Sequence, residues 1–158
     1  MRIRQHNFLK SAIQLIVYIF LMVSLTCFAA EKDEANKDAV RLAATSLYRA
    51  LSTKNMSGFA PYIPEQGFSE INPDWQGVRI LDRAVLERIF QSGAQIELHI
   101  DGLQVSLLDD THAIVTGYRA GTITPPNAAP QTSKMPLTMV WSKESGSWKL
   151  KHVHLSAQ

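Results

Sequence analysis

Residues Gln95–Thr124, QIELHIDGLQVSLLDDTHAIVTGYRAGTIT, contain two long strands and the device that bends them. Ile96, Leu98 and Ile100 alternate with polar residues, the period-two pattern of a half-buried strand. Beyond Gly102 the apolar parity moves by one residue, to Leu103, Val105 and Leu107. One extra residue at Asp101-Gly102 is what a β-bulge inserts, and a bulge bends its strand. Asp109-Asp110 supplies a turn, and His112–Thr124 runs back as a second strand. Working outward, Pro125–Ser133 is rich in proline and reads as a surface loop. Met135–Lys143 and Trp148–Ser156 read as two further strands, joined by Glu144-Ser145-Gly146-Ser147.

Upstream, the period changes to that of helices. Val40, Ala43, Ala44, Leu47, Tyr48 and Leu51 share one helical face, which predicts a helix over Lys37–Ser52 capped by Asn36 or Asp38. A short helix is predicted over Asn55–Tyr62. Phe68–Gly77, with Pro73-Asp74-Trp75-Gln76-Gly77 at its end, reads as a loop. Asp82 starts a third helix, whose stripe is Leu81, Val85, Leu86, Ile89 and Phe90, and Gly93 ends it. Helices followed by hairpin-linked strands define an α+β domain. The expected architecture is a strongly bent antiparallel sheet packed on about three N-terminal helices and enclosing a pocket.

The chain's formal charge of +2 hides an asymmetry. Arg2, Arg4 and Lys10 precede an uncharged apolar run, Ser11–Ala30, and all 14 acidic residues lie from Glu31 onward. A basic start followed by an apolar core is the pattern of an export signal. Cleavage after Ala29 places Cys27 and Ala29 where small residues are needed. The expected division is a signal peptide over 1–29 and a domain over 30–158, exported to a periplasm or the exterior. An uncleaved leader or a lipidated Cys27 would instead hold the protein at a membrane. Without the leader the acidic residues exceed the basic by one, so no nucleic-acid partner is expected.

Val140-Trp141, Gly146-x-Trp148 and His152-x-His154-x-Ser156 follow one another without a gap. This run resembles the C-terminal signature of the nuclear transport factor 2-like superfamily. The nearest branch is similar to the association domain of calcium/calmodulin-dependent kinases and its SnoaL-like relatives. The resemblance covers nearly the whole chain after the leader. It implies a cone-shaped fold with a pocket between sheet and helices, assembled as a homodimer or larger homo-oligomer. Its members include isomerases, dehydratases and polyketide cyclases, alongside proteins that only bind or assemble. In the kinase branch, arginines line an anion-accepting pocket. The matching positions here are Tyr118, Met139 and Leu155, so an arginine-built site is not expected. Arg119 falls one residue off, on the opposite face of its strand.

Three functional readings follow. The first is an exported binding or assembly module with a mostly apolar pocket and no cofactor, lined by Tyr48, Trp75, Tyr118, Met139 and Leu155. The second is an enzyme of proton-transfer chemistry. The resemblance to ketosteroid isomerases implies a carboxylate base and a hydroxyl donor, for which Asp101 and Tyr118 are the best candidates. The third is a structural interaction protein with a filled core. Trp148, His152 and His154 share one face of a strict alternation, and are expected to be structural or interface residues rather than metal ligands. A zinc site would need a third ligand that nothing in the spacing supplies.

Overall fold

The computed structural model describes residues 30–157. The expected leader 1–29, with Cys27, lies outside them. The chain divides into a segment 1–35 and a compact unit 36–158. Among the described residues, no helix is long and apolar enough to cross a membrane.

Helix α1 is described from residue 30 and ends at 52. Because it is already helical before residue 36, neither Asn36 nor Asp38 is its cap. Asn36 is buried instead, and its Oδ1 accepts a hydrogen bond from Lys143 Nζ at 3.0 Å. The predicted stripe is the buried one: Val40, Ala43, Ala44, Leu47 and Tyr48 all face the core. Helix α2, Met56–Phe59, is capped by the Asn55 side chain and runs into a 3-10 turn, Ala60–Tyr62. Helix α3, Arg83–Gln91, begins where Asp82 Oδ1 accepts from Val85 N at 2.8 Å. Phe59 and Phe90 meet edge to face at 6.0 Å and join α2 to α3.

Six strands form one curled, unclosed sheet. They are β1 Phe68–Ile71, β2 Val78–Leu81, β3 Gln95–Leu107, β4 His112–Thr124, β5 Gln131–Glu144 and β6 Ser147–Leu155. Their order is β2-β1-β6-β5-β4-β3. Strands β3 to β6 form the expected antiparallel meander. β1 and β2, in a region that reads as loop and turn up to Gly77, form a hairpin that extends it. β1 pairs parallel to β6, so the sheet is not wholly antiparallel.

Two irregularities decide which side chains face inward. The β3–β4 register shifts between Asp101 and Gln104, the predicted bulge. Ile96 and Leu98 before it, and Val105 and Leu107 after it, therefore all pack on the core. The second shift was not predicted. Trp141 pairs with Leu150 but Val140 pairs with His152, which leaves Lys151 as an extra residue in β6. The inward set on β6 is consequently Trp148, Leu150, Val153 and Leu155, all buried, and not one strict alternation.

Candidate functional site

Between the helices and the hollow face of the sheet lies a cavity of about 250 Å³. At about 30 Å³ per liquid water, that is room for roughly eight waters or one small ligand. Its floor is apolar, built from Met139 of β5 and Leu150, Val153 and Leu155 of β6. Leu47 and Tyr48 of α1 cover it from the helix side, and Trp75 stands in the wall from the β1–β2 turn. Arg79 lies over the Trp75 ring at 4.7 Å, a cation–π contact that orients the indole. Of the residues expected in a pocket wall, Tyr48, Trp75, Met139 and Leu155 line this cavity.

The cavity also has a polar end, absent from the sequence-based expectation. Glu70 of β1 is buried and points in. Asn72 Nδ2 donates to Glu70 Oε1 at 3.2 Å, while Asn72 Oδ1 accepts from Asp74 N at 3.1 Å. Asn72 thereby ties the carboxyl group to the turn. Burial pushes the Glu70 carboxyl above its ordinary range, against the opposing pull of the Asn72 hydrogen bond and of Arg119. Burial likewise pushes the Tyr48 hydroxyl well above its ordinary range, with Arg119 lowering it and Glu70 raising it further.

Arg119 departs from the sequence-based expectation: it is not on the outer face but buried in the cavity wall. One terminal nitrogen, NH2, donates to Met135 Sδ at 3.2 Å, a soft and weak acceptor. Its Nε is buried with no partner. The neighbouring inward positions on β4 are glycines with no room for a side chain. A Cβ on Gly117 would stand 2.8 Å from the Asp101 carbonyl oxygen, and one on Gly121 only 1.9 Å from that of Glu97. The bare backbone on either side leaves the Arg119 stem free to turn into the cavity. The signal was present as Gly117-x-Arg119-x-Gly121, a cation framed by two glycines on one strand face.

Asp101 and Tyr118 do meet, as cross-strand partners, but outside the cavity. With Ile100 turned inward just before the bulge, Asp101 points out. Its carboxylate takes Lys134 Nζ at 2.9 Å and His99 Nε2 at 3.0 Å. The Lys134 hydrogen bond, with His99, holds it below the ordinary carboxylate range. Tyr118 is 42% exposed, with Lys134 Nζ 5.2 Å from its ring centre. Neither residue lines the cavity, so Tyr118 is no part of its wall and the pair has no access to its contents.

The β6 bulge separates the other expected group. Trp148 turns inward and is buried, whereas His152 and His154 lie on the outer face. His152 Nδ1 and Ser69 Oγ share a hydrogen bond of 2.8 Å, and the two imidazoles meet edge to face at 6.5 Å. Desolvation, then the neighbouring His154, lowers the His152 pKa. Among the described residues no group of three metal-ligating side chains converges.

Helices packed on a curled, unclosed sheet are a known arrangement. The family model of the SnoaL-like domain matches residues 40–158, and the chain belongs to that family. No curated protein matches the chain. The structure is similar to the association domain of the C. elegans kinase CaMKII, with 20% identity and a TM-score of 0.62 over 80% of this chain and 98% of that one. It is similar to a nuclear transport factor 2-like superfamily protein of Salmonella enterica, with 15% identity and a TM-score of 0.64 over 79% and 92% of the two chains. A ketosteroid isomerase-like protein of Erwinia carotovora atroseptica shares 13% identity at a TM-score of 0.61, over 77% and 97%. At such identities the likeness shows the fold alone.

Proposed function

We propose that this is an exported binding module for a small molecule with an apolar body and one anionic end group. The observation that carries the reading is Arg119: a buried guanidinium with an unpartnered Nε in the wall of an otherwise largely apolar cavity. A buried cation without an anionic hydrogen-bond acceptor costs stability, and an anion arriving from solution supplies one. The test is calorimetric titration of the purified chain with 3-phenylpropionate and with the neutral 3-phenylpropanol. The acid is expected to bind at least tenfold more tightly, and Arg119→Gln to erase the difference. Equal binding of the two, or no effect of Arg119→Gln, would refute it.

Assembly into homo-oligomers belongs to the same proposal. Val78 and Ile80 on the edge strand β2, and Tyr118 on the outer face, are exposed. Similarity to a domain named for association supports assembly, and these exposed surfaces are its candidates. Light scattering that returns a monomer at high micromolar concentration would exclude it.

A proton-transfer enzyme is the second reading, with Glu70 and not Asp101 as base. A buried carboxyl raised above its ordinary range, beside the Tyr48 hydroxyl, is suited to taking a proton from carbon. Deuterium incorporation from heavy water into a bound carbonyl compound, abolished in Glu70→Gln, is the expected signature. Equal incorporation by that variant would sink this reading.

A further inference from the structure

The cavity has two poles of opposite sign. Arg119 of β4 presents the guanidinium and buried Glu70 of β1 a carboxyl group, while Asp74 of the following turn is an exposed residue at the rim. These three are the charged residues of the wall. Arg119 is near enough to act electrostatically on Glu70. Yet among the described residues neither carboxylate forms an ion pair with Arg119. Each group is anchored separately: Glu70 by Asn72, Arg119 by Met135. A pair that served only the fold would close on itself, because an open pair in a desolvated place keeps the cost of burial without the full attraction.

An open pair suits an occupant that completes both halves. A simple anion satisfies Arg119 but brings its charge near Glu70 and Asp74, and a simple cation meets the reverse problem. A molecule carrying both charges on an apolar body meets neither. We propose that the cavity takes a compact zwitterion, of the chemical class of a hydrophobic amino acid. Its carboxylate lies on Arg119, its ammonium on Glu70, and its body on Met139, Leu150, Val153 and Leu155. This rests on the Arg119 reading above and adds the second pole to it.

The probes are L-phenylalanine, L-leucine and 3-amino-3-phenylpropionate, set against 3-phenylpropionate and 2-phenylethylamine, which lack one charge or the other. Binding of each to the purified full chain is measured by calorimetry near pH 7. At least one zwitterion is expected to bind tenfold or more tightly than both singly charged compounds. Glu70→Gln should then weaken that zwitterion and strengthen 3-phenylpropionate, two changes of opposite sign that a merely damaged fold would not produce. If 3-phenylpropionate binds as well as every zwitterion, the second pole is refuted while the Arg119 reading stands. If no compound with a carboxylate binds, both fall together.

Discussion

Replacing Arg119 with methionine should make the protein more stable and less able to bind. The side chain is 9% exposed, its Nε has no partner, and its other described contact is a thioether at 3.2 Å. An unsatisfied buried donor costs about 1–3 kcal/mol. Desolvating the charge adds several kcal/mol, and attraction to Glu70 returns part of that. Methionine keeps a long apolar stem and removes donor and charge together, and Glu70, already raised above its ordinary range, can take up a proton once the guanidinium is gone; relief of the unsatisfied donor then gives a net gain of about 2 kcal/mol. In a domain of this size that raises the melting temperature by about 6–10 °C. Thermal unfolding followed by circular dichroism, with and without 3-phenylpropionate, reads both effects. Ligand at a hundred times its dissociation constant stabilises a binding protein by about 2.7 kcal/mol, so the liganded wild type should slightly overtake the variant, and the variant should gain clearly less from the same ligand. A variant that melts several degrees below the wild type without ligand would refute the reasoning, because Arg119 would then hold the fold together.

Glu70→Gln should stabilise the protein at neutral pH and lose that advantage in acid. Glu70 is raised above its unfolded value, so the folded state holds the proton more tightly, and stability declines as pH rises from about 4.3 through the folded value. Denaturant titrations at pH 4 and pH 7 check this; an equal difference at the two pH values would contradict it. Gly121→Ala places a Cβ at φ +135°, 1.9 Å from the Glu97 carbonyl oxygen. Strain and broken β3–β4 hydrogen bonds should cost about 3–5 kcal/mol, visible as a large fall in denaturation midpoint. Asp101→Asn should leave 3-phenylpropionate affinity within twofold of wild type, since its carboxylate lies outside the cavity; a larger loss by calorimetry would return Asp101 to the site.

Much of the fold was legible because its signals are local. The α1 stripe, the Asp82 cap and the β3 bulge each lie within a few residues of sequence, and each is where its pattern put it. The β1–β2 hairpin was not legible in that way. Its strands have four residues each, too few to show a period, and β1 is held by parallel pairing to β6, more than 80 positions away. Glu70 and Asn72 enter the cavity on that strand and the turn after it, so missing the strand hid the acidic pole.

The basic pole was hidden for a different reason. Alternation fixes which residues share a face but not which face is the inner one, and one bulge reverses the assignment for everything beyond it. On β6 the bulge at Lys151 joins Trp148 and Leu150 to Val153 and Leu155, which strict alternation had set on opposite sides. On β4 the resemblance placed Tyr118 inward and Arg119 outward, and the cross-strand register does the reverse: Arg119 pairs with Ile100, and Ile100 packs on the core. Gly117 and Gly121 share Arg119's parity, and each lies where a Cβ would strike the backbone of β3. The same two bulges that bend the sheet into a hollow therefore also choose its lining, and the shape and the chemistry of the cavity have one origin.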